Sequence, residues 1–277
     1  MKVSLIIPTY NREEYLIDTL KCAFAQSFDE YEIIVVDQTK VHSSETMLFL
    51  NENMSRMHYM QAELPSLTKA RNIGVQASKG EVIIMVDDDT LFEPDFLSQH
   101  WKSYQEDFDM ISGRVEEGMV KTAQHPVWFN RWGRYTGSEN CLIDGLTNKF
   151  AGCNGSFKRA LFDDLQGFDE NFIGVANCED ADFGYRAYKA GFRIGFKSQA
   201  AIIHRKAKIG GVGNRSMKIF LDQSYYQNRL YFTRKNFHIY AYWYMKFRLH
   251  IKVIKAAFRL IKTANCNAKS TIEKRNI

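Results

Sequence analysis

Three adjacent carboxylates stand directly after an apolar run in this sequence. The run covers residues 82–86, and Asp87, Asp88 and Asp89 follow it. Adjacent carboxylates repel one another unless a cation lies among them, and oxygen ligands of this kind suit Mg²⁺ or Mn²⁺ together with substrate phosphates. A solvated acidic turn is the alternative. The position at the end of a buried run favours the metal site.

Other polar groups stand where predicted elements begin or end. Asp37 ends a second apolar run, where it could cap a helix or accept a hydrogen bond from a base or ribose. His204 ends a strand-like run and is either structural or a further metal ligand. Glu179, Asp180 and Asp182 open a helix. Such acids are ordinarily partners of the helix dipole, but one of them could be a general base that deprotonates an acceptor hydroxyl.

Hydrophobic patterning places these residues on an α/β scaffold. Continuous apolar runs over residues 3–7, 33–36 and 82–86 predict buried parallel strands with helices between them. Further strands are predicted over residues 110–115 and 194–203. Ligands bind such sheets at the carboxyl ends of the strands, which is where the aspartates stand.

The second half of the chain has weaker patterning. Residues 116–150 are loop-like, and their aromatic side chains could stack on an acceptor sugar or simply pack a lid. A helix over residues 183–190 is expected to end at Gly191. In the same way, the helix over residues 67–78 is expected to end at Gly80.

Several classes of protein are disfavoured by what the sequence lacks. It has neither a GxGxxG after the first strand nor a GxxxxGK[ST] motif. The five cysteines form no CxxC pair, which argues against a zinc cluster or a disulfide framework and favours a reducing compartment. The apolar runs are too short for a signal peptide or a membrane span. We therefore expect a cytoplasmic protein.

Charge is distributed unevenly along the 277 residues. The net charge is +5, but residues 1–203 carry 20 basic and 30 acidic side chains. Residues 204–277 carry 17 basic and 2 acidic side chains. In this basic tail, apolar side chains recur every three or four positions at Tyr240, Trp243, Phe247, Ile251, Ile254, Phe258 and Ile261. A basic stripe adjoins them at Arg248, Lys252, Lys255, Arg259 and Lys262.

This pattern predicts an amphipathic basic helix within residues 236–264, followed by a disordered tail over 265–277. Aromatic and cationic faces side by side are typical of a helix that lies on an anionic membrane. The alternative is a helix that packs on its own domain or on a partner, with solvated lysines.

Taken in order, the motifs resemble those of family 2 glycosyltransferases, inverting enzymes with the GT-A fold. The segments that carry the resemblance are residues 7–12, 34–37, 70–74, 86–89, 167–170, 179–180 and 225–235. It implies a Rossmann-like mixed α/β sheet over residues 1–235. A nucleotide-sugar lobe would cover residues 1–108 and an acceptor lobe residues 109–235. Gln38-Thr39-Lys40 departs from the family's usual acid-Gly-Ser, which leaves the nucleotide open.

The resemblance also implies an activity, a cofactor and site residues. A nucleotide-sugar, with a UDP-sugar as the first expectation, would donate a hexose to a hydroxyl of a glycan or lipid-linked glycan with inversion. Donor contacts would come from Pro8, Thr9, Tyr10, Arg12, Asp37, Arg71, Asp87 and Asp88. A divalent cation, Mn²⁺ or Mg²⁺, would be held by Asp87, Asp89 and His204. The catalytic acids would be Asp180 as the base and Glu179 beside it. Acceptor contacts are expected from Trp128, Trp132, Asn154 and Asp182.

Two other functions remain open at this stage. A nucleotidyltransferase also pairs aspartates with Mg²⁺, but it usually has a Gly-rich basic loop after the first strand, which is absent here. A nucleic-acid-binding protein would use the basic tail, although the tail has no recognised nucleic-acid motif. The favoured expectation is an enzyme of bacterial polysaccharide synthesis without a nucleic-acid partner, peripheral on the inner face of the cell membrane.

Overall fold

A computed structural model describes residues 1–118, 122–207, 210–211 and 223–254. Its strands are β1 Val3–Thr9, β2 Tyr31–Asp37, β3 His58–Gln61, β4 Val82–Val86, β5 Thr90–Leu91, β6 Met110–Glu116, β7 Trp128–Phe129, β8 Tyr135–Thr136, β9 Gly145–Leu146, β10 Asn154–Lys158 and β11 Ile194–His204. Its helices are α1 Glu13–Phe24, α2 Ser44–Asn53, α3 Leu67–Ala77, α4 Phe96–Ser103, α5 Arg159–Asp164, α6 Glu179–Lys189 and α7 Gln223–Asn236. A further helix, α8, covers residues 239–254.

One mixed sheet organises the described residues. Its strand order is β3-β2-β1-β4-β10-β6-β11-β5, with β9 paired to β11. The strands β1 to β4 are parallel, β10 runs antiparallel to both β4 and β6, and β6 is parallel to β11. The predicted mixed sheet is therefore confirmed. Because β1, β2, β4, β6 and β11 point the same way, their carboxyl ends lie along one edge.

Both faces of this sheet are covered, which explains the continuous apolar runs. Leu5 and Ile7 of β1 pack with residues of α1, α2 and α4 on one face. Ile6 packs with residues of α3, α5 and α6 on the other. Since successive side chains of a strand alternate between faces, an unbroken apolar strand needs a hydrophobic layer on each side.

The expected helix cap at Gly80 is wrong, whereas the one at Gly191 is confirmed. Helix α3 ends at Ala77, and the Ser78 hydroxyl donates to the Val75 carbonyl. A Cβ at Gly80 would lie 2.5 Å from the Ser4 backbone nitrogen, so this glycine allows close approach to β1. Gly191 has φ +91° just after α6, in the left-handed region that favours glycine.

Strand β10 lies at the centre of the sheet without an apolar run to predict it. Its sequence is Asn-Gly-Ser-Phe-Lys, and its first four residues are buried. His100 satisfies two of its polar side chains: Nδ1 lies 2.8 Å from Ser156 Oγ and Nε2 lies 3.0 Å from Asn154 Oδ1. A hydrophobic pattern could not reveal a strand whose polar groups find partners only in the folded chain.

Helix α8 packs on the rest of the protein through a face other than the predicted apolar stripe. Ala241, Met245 and Leu249 are buried, whereas Trp243 and Phe247 are 57% and 65% exposed. The rest of the predicted helix, up to residue 264, and the predicted disordered tail lie outside the described residues. No helix among the described residues is both long and apolar enough to cross a bilayer.

Candidate active site

Polar groups gather at the edge where the parallel strands end. Thr9 closes β1, Asp87 follows β4, Glu117 follows β6 and His204 closes β11. Strands β6 and β11 are paired so that Ile203 lies opposite Glu116, which brings Glu117 beside His204. The strand order therefore assembles side chains that are far apart in the sequence.

Asp88 is directed into the protein, where it anchors the first loop. It accepts hydrogen bonds from the Thr9 hydroxyl at 2.7 Å and from Arg12 Nη1 at 2.7 Å. Burial raises the pKa of Asp88 to about 6, although the charge of Arg12 opposes the shift. Asp88 therefore holds Thr9 and Arg12 against the end of β4.

Asp87, Asp89 and His204 form a group that could hold a metal ion. One donor atom from each residue lies within 4.8 Å of the others. Asp89 Oδ1 and His204 Nε2 are 3.2 Å apart, and both are buried atoms without a hydrogen-bond partner in the described structure. Two carboxylates and an imidazole suit Mn²⁺ or Mg²⁺, and a bound cation would satisfy both atoms. The predicted ligand set is thus brought together and fits the implied metal.

Acids surround His204 and fix its ring. Its Nδ1 lies 2.8 Å from Glu117 Oε1, and Lys206 Nζ lies 2.5 Å from the other oxygen of Glu117. Burial acts to lower the pKa of His204, but Asp89 and Glu117 raise it to about 10. A cation bound at Nε2 would take the place of that proton, because only the neutral ring coordinates a metal. Glu117 was not predicted, and its only signal was its place after β6.

Arg71 connects the strand edge to the first turn of α6. Its buried guanidinium donates to Glu179 Oε1 at 2.6 Å and to Asp87 Oδ1 at 3.2 Å. Arg71 therefore bridges Glu179, in the predicted base region, and Asp87, one of the predicted metal ligands.

Asp180 lies beside Glu179 but has different partners. The Gly152 N–H donates to its carboxylate at 3.3 Å, and Lys149 Nζ lies 3.6 Å from the same oxygen. Burial acts to raise the pKa of Asp180, but Lys149 and Arg71 lower it. Burial and the neighbouring Asp180 charge raise the pKa of Glu179. The surroundings of Asp180 therefore favour its charged form, and Lys149 is a site residue that the sequence did not reveal.

A narrow cleft runs along the end of β1. Most of the predicted donor contacts line it, namely Pro8, Thr9, Tyr10, Arg12, Asp87 and Asp88. Asp37 does not reach it. This carboxylate is fully buried and accepts from the Thr39 N–H at 2.7 Å and the Tyr59 hydroxyl at 2.9 Å. Gln38 lines the cleft in its place.

A larger cavity, of about 540 Å³, is lined in part by Asp180. Phe129 and Tyr135 line it, together with residues from α7 and α8. The two predicted tryptophans do not line this cavity. Trp128 packs edge-on against Tyr188 with ring centroids 5.5 Å apart, and Trp132 lies 5.5 Å from Tyr244.

The predicted acceptor contacts Asn154 and Asp182 are also placed elsewhere. Both side chains are fully buried. The Asn154 amide donates to the carbonyls of Arg114 and Ala200, each at 2.8 Å. Asp182 accepts from Arg186, Lys235 and Asn236, which fastens α6 to α7. Their polar groups are used by the fold, and neither side chain lines the narrow cleft or the larger cavity.

Known proteins resemble this chain in sequence. The Bacillus subtilis glycosyltransferase YwdF is 26% identical over 246 residues, which are 83% of each protein. The glucosyl-dolichyl phosphate glucuronosyltransferase of Haloferax volcanii is 26% identical over 220 residues, 74% of this chain and 69% of that protein. The chain spans a smaller share of other relatives, such as 32% of Bacillus subtilis EpsH.

Solved structures resemble it in fold. TarS 1–349 from S. aureus in complex with UDP-GlcNAc has a TM-score of 0.61 at 20% identity, covering 84% of this chain and 66% of that one. The mannosyltransferase PcManGT from Pyrobaculum calidifontis in complex with GDP-Man and Mn²⁺ has a TM-score of 0.59 at 17% identity. The match covers 84% of this chain and 63% of that one. At these identities the likeness establishes the GT-A fold alone. Residues 4–166, more than half of the chain, match one family in sequence, and the protein therefore belongs to glycosyl transferase family 2.

Proposed function

We propose that this glycosyltransferase is metal-dependent and inverting, and that it moves a hexose from a nucleotide-sugar, with a UDP-sugar as the first candidate. The acceptor would be a hydroxyl of a glycan or lipid-linked glycan. The nucleotide-sugar complexes of TarS and PcManGT support the class of donor. The Haloferax relative, named for a glucosyl-dolichyl phosphate, supports a lipid-linked acceptor.

The metal group at the strand edge carries this proposal. Asp87, Asp89 and His204 would hold the cation, and two of their buried donor atoms lack another partner. A bound divalent cation would neutralise charge on the leaving diphosphate as a Lewis acid. Thr9 and Arg12 would line the donor cleft from the positions in which Asp88 fixes them.

Asp180 is the proposed general base. It lines the large cavity, and the charges of Lys149 and Arg71 hold its pKa below the ordinary value despite its burial. There it would accept the proton of an acceptor hydroxyl as that oxygen attacks the anomeric carbon. Attack from the face opposite the leaving group inverts that carbon in one step, so Asp180 and the donor cleft must approach the sugar from different sides.

A nucleotide-sugar panel tests the proposal. The purified chain would be incubated with UDP-, GDP- and dTDP-sugars and Mn²⁺, and the released nucleotide would be measured with and without candidate acceptors. We expect slow release of nucleoside diphosphate from one donor class and loss of this release in EDTA. Release of sugar 1-phosphate instead would indicate nucleotidyl transfer, and no turnover with any donor would contradict the proposal.

We further propose that the protein is peripheral on an anionic membrane. The exposed apolar stripe of α8, formed by Ile239, Tyr240, Trp243, Phe247 and Ile254, supports this. The excess of basic residues after His204 would add attraction to anionic headgroups, of about 1 kcal/mol for each residue near the surface.

A further inference from the structure

The walls of the large cavity differ in charge. Around Asp180, the lining acids all have basic partners: Lys149 pairs with Asp180 and Glu139, and Glu117 pairs with Lys206. A second part of the wall is formed by basic side chains from the loop before β8, from α7 and from α8. This cationic wall consists of Arg134, Arg229, Arg248 and Lys252.

The arginines of the cationic wall are held by neutral groups. Arg229 Nη2 donates to the Gly133 carbonyl at 2.6 Å. Arg134 and Arg248 both donate to the Tyr244 hydroxyl, at 3.4 and 3.1 Å. Among the described residues, no carboxylate forms an ion pair with any of these three guanidinium groups. Their positive charge is therefore not neutralised by the part of the protein that the structure describes.

These cations also repel one another. Burial lowers the pKa of Lys252, and the charges of Arg248 and Arg229 lower it further. Like charges held together destabilise a protein unless an opposite charge binds among them. Guanidinium groups present several N–H donors in a plane and suit phosphate oxygens particularly well.

We propose that the cationic wall binds a phosphate or diphosphate ester of the acceptor, while a hydroxyl of the same molecule lies at Asp180. This inference rests on the proposed function, because it assumes that the large cavity receives the acceptor. A volume of about 540 Å³ accommodates a sugar with its phosphate. The phosphate could belong to a lipid carrier or to a soluble phosphate-containing glycan, and both present the same chemistry.

Direct binding in the absence of a donor tests this inference. The full chain in EDTA would be titrated calorimetrically with octyl phosphate, glycerol 3-phosphate and octyl glucoside, each below its micelle concentration. We expect octyl phosphate to bind at least about tenfold more tightly than the neutral glucoside. Glycerol 3-phosphate binding as tightly as octyl phosphate would indicate a soluble glycan phosphate, whereas tighter octyl phosphate would indicate a lipid carrier. Equal affinity for octyl phosphate and octyl glucoside would overturn the inference.

Variants of α8 locate the binding site. Arg248→Gln combined with Lys252→Gln should weaken octyl phosphate binding at least about tenfold and leave octyl glucoside binding unchanged. Lys246→Gln is the matched control, because Lys246 lies on the same helix above the Trp243 ring and does not line the cavity. Arg134→Gln, on an exposed loop, should also weaken phosphate binding if the double variant does not fold.

Unchanged octyl phosphate affinity in a folded variant would also overturn the inference. Failure of the nucleotide-sugar panel would contradict the proposed function, but it would not alter these binding results. The two proposals can therefore fail separately.

Discussion

Asp87, Asp88 and Asp89 are consecutive in the chain, but each has a different neighbour. Asp88 turns inward to Thr9 and Arg12, Asp89 lies against His204, and Asp87 contacts Arg71. Consecutive residues beyond a strand point in different directions, so one acidic run can both anchor a loop and offer ligands to a cation. Treating the three acids as equivalent would miss this division.

The metal group predicts the effect of removing its imidazole. His204→Ala should lower Mn²⁺ affinity by at least about tenfold, because the site then loses one of its three protein ligands. Mn²⁺ titration followed by thermal unfolding measures this without any substrate. His58→Ala is the control, since His58 is exposed on β3. Equal stabilisation of both variants by Mn²⁺ would contradict the ligand assignment.

The base assignment predicts the effect of Asp180→Asn. Transfer should fall by about 10²–10⁴-fold with little change in donor KM, because the amide preserves the shape but cannot accept the proton. Initial rates measured across a range of donor concentrations separate the two quantities. Asp163→Asn removes an exposed carboxylate of α5 and should leave the transfer rate and the donor KM unchanged. Full activity in Asp180→Asn would contradict the assignment of Asp180 as the base, and Glu179 would be tested next.

At the scale of elements, α7 is held by two carboxylates, one from α6 and one from the segment before it, and only Asp182 was predicted as an acceptor contact. Asp182 and Asp169 both lie within 3 Å of Lys235 Nζ, and Asp182 also accepts from Asn236. This ion pairing holds α7 against α6, which places Arg229 at the cavity. These acids therefore serve partly to position helices.

The pairing of Asp169 predicts a pH-dependent stability. Burial acts to raise the pKa of Asp169, but Lys235, Asn171 and Tyr231 hold it below its ordinary value. The resulting stabilisation is present above the unfolded pKa of about 4, and is lost as the pH falls through the lower folded value. Asp169→Asn should therefore lower the free energy of unfolding by about 2 kcal/mol at pH 7, and by less below about pH 4.

Urea unfolding at pH 7, 4 and 2 measures this difference. Asp107→Asn is a suitable control, because its side chain is 94% exposed and lies 3.7 Å from Arg193. A deficit in Asp169→Asn that stays constant from pH 7 to pH 2 would show that charge at Asp169 is not the cause.

At the scale of the whole molecule, two faces of α8 have different surroundings. Met245, Arg248 and Leu249 line the large cavity, whereas Trp243 and Phe247 are exposed on the outside. The predicted basic stripe is thus divided, since Arg248 and Lys252 face the cavity and its later members lie outside the described residues. A helix of this kind could hold the cavity next to a membrane in which a lipid-linked acceptor resides.

The exposed stripe predicts a defect in membrane binding. Trp243→Ser combined with Phe247→Ser should weaken binding to phosphatidylglycerol vesicles on the order of a hundredfold, because two aromatic side chains no longer bury their surface in lipid. Co-sedimentation measures the effect. Point variants are preferable to deletion of α8, which would remove a wall of the cavity. Leu48→Ser, which removes another exposed apolar side chain, is the control. Equal sedimentation of this control and of the double variant would contradict a membrane role for α8.

The sequence by itself determined the parallel strands and the polar groups at their ends. An apolar run followed by an acid is a local pattern, and parallel strands place their carboxyl ends at one edge whatever their order. This is why Asp87, Asp89 and His204 could be predicted as a group before their distances were known.

Only the tertiary structure decided which polar groups face the clefts. Asn154 and Asp182 were predicted at the acceptor but are buried, and Asp37 is buried whereas Gln38 lines the cleft. Lys149 gave no local signal, and the basic stripe that includes Arg248 and Lys252 gave no indication that these residues line the cavity with Asp180, because loop and helix packing between distant parts of the chain brings them there. The direction of a polar side chain depends on partners far away in the sequence, and those partners are fixed only when the chain folds.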